Sequence, residues 1–447
     1  MNTTSRSLRR LLAGAAAATV LLASACGDSG TDDAADTSAT SEASSGSGQY
    51  SVIRVPEDQK TIQDGVNAAK EGDLVLISPG VYQEAINVET PNIVVRGLDR
   101  NEVIIDGEFE RENGIKVFSD GVAIENLTAR NHTGNGIFFT GEYSASDAEN
   151  RILTGYRASY VTVYNNGLYG LYGFNAQGGQ FDNSYGSGHP DSAFYIGQCN
   201  PCDTVLTDLV SERNMLGYSG TNSTGVTIVN SVFKNNRAGI VPNSLYSEAL
   251  YPNRGTNIVG NAVIDNNAAD APPGTAFAVA FGNGIVVGGV SNNVVERNLV
   301  TGHLNAGIVI TDLPNSENPD TKADETFKPE NNKVRNNKVT GNQFDLAYLT
   351  LNFASNLFGN CFEDNEIQTE FPEGLQSKAG CGAPEVDLGD LSAVVSLLKP
   401  SPPDVDWKTV VAPATQENMP DAATAAPKPA AKSPAKVDLA AIKMPTA

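Results

Sequence analysis

All three histidines of this 447-residue chain stand at one recurring place in its sequence, beside groups able to exchange protons with them. Asn166, His189, Glu212 and Asn235 are spaced 23 residues apart. Each lies four residues before a short strand-like run: Gly170-Leu171-Tyr172, Ala193-Phe194-Tyr195, Leu216-Gly217-Tyr218 and Gly239-Ile240-Val241. The same offset back from Gly136 and Gly307 reaches His132 and His303. Within this row His189 and Glu212 are expected one repeat apart, with Asp191 and Arg213 beside them. A carboxylate and an imidazole at that distance could serve as base and acid, and the Arg213 guanidinium could neutralise an anionic substrate or a developing enolate. A turn that simply accepts a stackable polar side chain gives the same row, and that structural reading carries more weight.

A second row holds Tyr172, Tyr195 and Tyr218, again 23 apart. If Leu171, Phe194 and Ile196 point inward, strand alternation turns the tyrosines outward. Three phenol rings in a column form a flat strip suited to packing on sugar faces. A mutual aromatic ladder under a covering loop is the competing reading.

A period in the low twenties, with Asn-rich turns and short apolar runs, is the signature of stacked coils. Runs such as Leu74–Ile77, Ile86–Val88, Ile93–Val95, Val103–Ile105, Ile115–Val117 and Val122–Ile124 precede the repeating block. Val226–Val229, Gly284–Val287, Gly307–Ile310, Val334 and Val339 follow it. Strands this short cannot build a sandwich, but they can build a three-sided parallel coil in which equivalent side chains lie about 4.8 Å apart. Buried turn amides would then hydrogen-bond along the axis, which accounts for the Asn-Asn pairs at 165–166, 235–236, 266–267, 292–293, 331–332 and 336–337. Thr61 to Lys70 reads as a short amphipathic helix capping the first coil. Residues 141–156, 243–256, 268–280 and 313–329 read as excursions that could wall a groove.

Gly72-Asp73-Leu74-Val75 and Gly80-Val81-Tyr82-Gln83-Glu84 resemble the opening coils of right-handed parallel β-helix proteins of the pectin-lyase-like superfamily, and the likeness extends to about Gln368. The expected fold class is therefore all-β, a right-handed parallel β-helix with an N-terminal capping helix and disordered tails. The resemblance implies binding of a polysaccharide or cell-envelope glycan and, if the protein is catalytic, lyase, epimerase or glycosidase chemistry, with calcium a candidate cofactor. Gly80-x-Tyr82-x-Glu84 also resembles a pectin methylesterase motif. The remaining esterase signatures are absent, as are the Trp-x-Asp-His of pectate lyases and the Gly-His-Gly and Arg-x-Lys of polygalacturonases, so no family catalytic set is carried over. A non-enzymatic envelope scaffold or adhesion module is the rival, and a maturation factor for extracytoplasmic metalloenzymes is a third reading.

The ends of the chain differ from the middle. Arg6, Arg9 and Arg10 followed by the apolar run Leu11 to Ala25 form an export signal, and Leu22-Ala23-Ser24-Ala25-Cys26 resembles a bacterial lipobox, which implies lipidation of Cys26 and anchoring to the outer face of the cell membrane. The expected divisions are 1–25 signal peptide, 26–49 flexible linker, 50–383 β-helix and 384–447 tail. Leu388 to Leu398 reads as a terminal helix, and Pro400 to Ala447, rich in Pro, Ala and Lys, as disordered or as an extended wall-contacting tail. In an oxidising compartment the remaining Cys199, Cys202, Cys361 and Cys381 are expected to form local disulfides, Cys199 with Cys202 and Cys361 with Cys381. No second CxxC or His pair completes a metal set. With 30 Lys+Arg against 52 Asp+Glu, the net charge of -22 argues against nucleic acid as a partner. A monomer is expected.

Overall fold

The computed structural model describes residues 50–141, 151–246, 248–274, 280–314, 326–350 and 356–446. The expected signal peptide, Cys26 and linker lie outside them, as do parts of the excursions read at 141–156, 268–280 and 313–329.

The chain winds repeatedly through three parallel sheets. Sheet A has twelve strands from Val52–Val55 to Cys361–Glu363, sheet B ten from Gly80–Tyr82 to Lys338–Thr340, and sheet C eleven from Ile86–Val88 to Glu370–Phe371. Successive strands in the chain visit A, then B, then C, so each strand pairs with its counterpart one coil away. Parallel strands joined in this way cross over in the right-handed sense. This is a right-handed parallel β-helix, as the repeat length and strand lengths predict. Its interior is one continuous apolar column that includes Val95, Ile124, Phe139, Tyr156, Phe181, Phe194, Phe233, Ile258, Val295, Val334 and Phe362.

The three corners explain the Asn-Asn pairs. In five of the six pairs the first member adopts the left-handed backbone that Asn tolerates, with φ of 50° at Asn165, 51° at Asn235, 58° at Asn292, 56° at Asn331 and 55° at Asn336, whereas at 266–267 Asp265 takes that turn with φ of 51° and Asn266 is the inward member. The turn sends the second member inward, where Asn166, Asn236, Asn293, Asn332 and Asn337 are buried. There each amide oxygen accepts from the backbone N–H of the equivalent residue one coil earlier, and each amide NH₂ donates to a carbonyl or to the next amide. One such ladder runs Asn261, Asn298, Asn337, Asn365 and Gln376, with links of 2.9–3.1 Å. Another runs through Asn293, Asn332 and Asn360.

Both ends of the stack are plugged. Thr61 caps the helix Ile62–Ala68, accepting from Asp64 N at 3.0 Å, and the helix sets Ile62 and Val66 into the first coil. At the other end Leu375 and Ala379, on and just after the helix Leu375–Lys378, join Leu388 and Leu391 in the core, beside the Cys361–Cys381 disulfide. Within the expected terminal helix 388–398 only a 3₁₀ turn, Ser392–Ser396, forms. Cys199–Cys202 closes a turn between sheets C and A.

The C-terminal tail is not disordered. From Lys399 it runs back along the outside of the coils, and Arg237, fully buried, donates to Ser401 Oγ and to the Pro402 and Pro403 carbonyls at 2.8–3.0 Å. Arg100 then holds Glu417 O, and Arg96 holds Ala422 O and Ala425 O. The chain reverses over Gly121, where Ala430 N donates to Gly121 O at 2.9 Å, and ends near Arg297, which donates to Leu439 O and Ile442 O. Low hydrophobicity deprives this segment of a core of its own, but buried arginines of the solenoid satisfy its carbonyls and fix it.

Asn298→Ala removes an amide that accepts from Asn261 N and donates to Ile258 O, stranding both buried groups. The expected loss is about 3 kcal/mol, read as a lower urea midpoint. An unchanged midpoint would show that the ladder contributes nothing.

Candidate functional site

On sheet C the outward positions form a column in register: Asn87, Lys116, Phe138, Tyr172, Tyr195, Ser219, Val241, Val286, Val309, Ala347 and Phe371. Its early part is aromatic. Phe138 and Tyr172 stack at 4.3 Å with their planes 9° apart, and Tyr195 meets Tyr172 edge-on at 5.0 Å. Tyr169, from the turn before its strand, lies 4.5 Å from Tyr172 and 4.6 Å from Tyr195, while Phe174 flanks Tyr172 at 5.7 Å. Lys116 sits over Phe118 and Phe138 at the other end.

Two carboxyls border this cluster. Asp191, one residue before the strand Ser192–Gly197, accepts from Ser192 Oγ at 2.7 Å and from the Tyr169 hydroxyl. Burial lifts its pKa to about 6, the hydrogen bonds from Ser192 and Tyr169 opposing the rise. Glu248 accepts from Tyr195 Oη at 3.0 Å, and Leu245 and Glu248 are held there by Asn222 Nδ2, which donates to Leu245 O and Glu248 O. Burial first, and then the negative charges of Asp191 and Glu248, raise the pKa of Tyr169 and Tyr172 well above the ordinary phenol value. The phenols therefore stay protonated as donors. Asp191 titrates near neutrality, so one carboxyl and one phenol in hydrogen-bond contact could serve as base and acid.

The predicted residues are divided among four places. Tyr172, Tyr195 and Asp191 come together on sheet C, although Tyr195 is only 2% exposed beneath Glu248. Tyr218 is not outward. It registers with Phe194, 24 residues earlier, rather than with Tyr195, and lies fully buried in the core. A slip of one residue exchanges the faces of a strand.

His189 is 0% exposed within a corner ladder, its Nδ1 2.8 Å from Asn214 Oδ1 and its Nε2 3.2 Å from Asn166 Nδ2. The residue one coil beyond it is Asn214, not Glu212. Glu212 pairs with Ser187 on the outer side of sheet B, where it accepts from Tyr185 Oη at 2.6 Å and meets Arg213 at 3.2 Å and Lys234 at 3.5 Å. The His189–Glu212–Arg213 constellation is thus not assembled. The full ladder reads His132, Asn166, His189, Asn214, Asn236, Asn266, His303 and Asn342. Asn235, like Asn165, takes the left-handed turn just outside it.

Counting by 23 missed Phe138 and Lys116 because the coil from Ile137 to Leu171 contains 34 residues, an excursion having entered it. Tyr169 and Glu248 sit on a turn and an excursion, where no periodicity points to them. Among the described residues no three His, Cys, Asp or Glu side chains converge as a metal-binding set, and no helix is long and apolar enough to cross a membrane.

The winding described above defines a right-handed parallel β-helix. No family model matches the chain, and no curated protein matches it in sequence. Solved structures do share its shape. The mannuronan C-5 epimerase AlgE4 A-module of Azotobacter vinelandii has 12% identity and a TM-score of 0.46, covering 69% of this chain and 91% of that one. A mannuronic acid specific polysaccharide family 6 lyase from human gut microbiota has 12% identity and a TM-score of 0.36, covering 71% and 83%. Pectate lyase Pel9A has 11% identity and a TM-score of 0.34, covering 83% and 89%. At these values the likeness is one of fold.

The three histidines make stability depend on pH. Burial lowers each folded pKa to about 4 from 6.5, so the unfolded chain takes up protons first as the pH falls. Their stabilisation is complete above pH 6.5 and is lost on descending toward pH 4, while Asp191, raised to about 6, acts in the opposite sense between 3.8 and 6. His189→Asn, which places the ladder's commonest residue there, should flatten the decline in urea midpoint between pH 6.5 and 4 by one histidine's share. An identical slope in variant and wild type would show that His189 is not held neutral.

Proposed function

We propose that this protein binds a polysaccharide across the outer face of sheet C, with Phe138, Tyr172 and Tyr169 as the sugar-stacking surface. The observation that carries the reading is the aromatic cluster itself, three outward rings on neighbouring coils with a fourth from a turn, edged by Asp191. Half-buried rings of this kind offer flat apolar area with hydroxyls at its margin, which matches the faces and edges of pyranose rings. Turnover would use Asp191 as the base and a neighbouring phenol, Tyr169, as the acid: abstraction of a proton at the sugar carbon beside a carboxylate, with protonation of the bridging oxygen or of the opposite ring face. Lys116 would offer the positive charge at one end of the strip. The polysaccharide lyases and the epimerase of similar fold act on chains that such a surface would suit, and this supports the substrate class.

One observation favours a non-catalytic scaffold as the second reading. Beyond Tyr195 the outward column of sheet C, from Ser219 to Ala347, is buried, so the accessible strip is only a few sugar rings long. Modest affinity follows unless binding is multivalent.

Export and lipid anchoring at Cys26, with a monomeric solenoid held outside the membrane, complete the proposal. The two disulfides support an oxidising compartment.

Two experiments test these points. Against a panel of neutral and uronate-containing glycans, Tyr172→Ala should weaken binding by about tenfold, roughly the value of one stacked ring. Asp191→Asn should leave binding but remove unsaturated or epimerised product, and wild-type kcat/KM should rise with pH through about 6 as Asp191 ionises. Binding by no glycan sinks the proposal, while binding without turnover leaves the scaffold. Separately, Cys26→Ser should shift the protein from the membrane fraction to the medium, and retention on the membrane would remove the lipid anchor.

A further inference from the structure

The C-terminal tail does not merely cover the solenoid. Where it passes the corner between sheets B and C, it meets the turn that carries Tyr169. Gly167 faces Trp407 so closely that a Cβ there would lie 3.1 Å from Trp407 Cζ2 and 2.3 Å from Thr133 O. Three residues on, Val410 O accepts from Asn165 Nδ2 at 2.9 Å. On its other side the turn is tied to the coil beneath, with Gly167 N donating to His132 O and Leu168 N to Gly134 O, both at 2.8 Å. Leu168 O in turn accepts from Asp191 N at 3.2 Å. The turn 165–169 is therefore clamped between one coil and the tail, and it links both members of the acid–base pair.

The solenoid provides a seat for the indole. Phe109 meets Trp407 edge-on at 5.4 Å, and Lys408 Nζ lies 5.4 Å from the Phe109 ring centre and 5.5 Å from that of Trp407. Phe109 holds this pose with φ of 59°, a region disfavoured for a bulky side chain, its N–H donating to Asn131 O at 2.6 Å. A backbone held in so unfavourable a region is over-determined by its surroundings, and what it presents here is a ring to the tail. Upstream, Arg237 fixes Ser401 to Pro403, so Trp407 arrives at its seat from an anchored segment.

We infer that Trp407 is a positioning residue: by seating on Gly167 and Phe109, the tail fixes the turn that places Tyr169 against Tyr172, Tyr195 and Asp191. Only the last arm of the following test rests on the proposed glycan reading.

Trp407 is the single tryptophan of the chain, so its emission reports the seat directly in the full-length protein. Native emission should be blue-shifted from that of the urea-unfolded protein and partly shielded from acrylamide. Emission identical to the unfolded chain would show an empty seat and overturn the inference. Hydrogen exchange then compares wild type, Trp407→Ala and Trp407→Phe. Protection of the Gly167 and Leu168 amides should fall by about tenfold in the alanine variant and return in the phenylalanine variant, with strands of sheet A unchanged. Unchanged protection at 167–168 in Trp407→Ala would refute positioning whatever the protein binds. For a glycan that the wild type binds, Trp407→Ala should weaken binding at least threefold and shift the pH profile set by Asp191, and Trp407→Phe should restore both. Lost protection with unaltered binding and pH profile would overturn the link to the site. Failure of the wild type to bind any glycan would count against the proposed function alone, since the exchange comparison decides the positioning by itself.

Discussion

Everything in this molecule depends on buried amides lying one coil above another at the spacing of parallel strands. A solenoid has no separate hydrophobic layer to hold its corners, and each turn drives backbone polar groups inside, where an unpaired group costs about 1–3 kcal/mol. The protein meets this by alternating two jobs in adjacent residues. In every Asn-Asn pair but 266–267 the first residue bends the chain through a left-handed conformation and the second bonds inward to the coils on either side; at 266–267 Asp265 makes the bend and Asn266 bonds inward. Because the second job is geometric, it accepts histidine when the imidazole can offer the same atoms, which is why His189 and His303 occupy the ladder without being exposed.

The same constraint decides what the sequence makes legible. Fold class, ladder composition and the capping helix are written locally: turn Asn, alternating strand residues, Thr61 before an apolar helix. The site is not. It depends on register, and register accumulates every insertion. His189 to Asn214 is 25 residues and Phe194 to Tyr218 is 24, so a count of 23 that serves Tyr172 and Tyr195 places Glu212 in the wrong row and turns Tyr218 to the wrong face. The turn residues betray the change only in hindsight. Asn214 and Asn236, not Glu212 and Asn235, are the members whose side chains face in. Phe138 and Lys116 were hidden for the same reason, by a coil of 34 residues.

The tail shows a different limit. Its Pro, Ala and Lys content is that of a segment with too little apolar surface to fold by itself, and that inference about the isolated segment is sound. What composition leaves out is the receiving surface. The guanidinium groups of Arg96, Arg100, Arg237 and Arg297 point at backbone carbonyls of a segment as many as 330 residues away. Planar, multiply donating groups suit this task because each engages several carbonyls without requiring any particular side chain. The partner sequence can then remain of low complexity.

Those contacts also impose an order of events. Nearly all other bonds in the stack join neighbouring coils and can form as the chain emerges, but the ones made by Arg96 and Arg100 await residues synthesised some three hundred positions later. Until those residues are in place, Arg96 and Arg100 lack the tail carbonyls that they bond in the finished molecule. Residues 417–425 of the tail thus finish the bonding of the first coils, and their loss would carry its defect to Arg96 and Arg100, some three hundred positions earlier in the sequence.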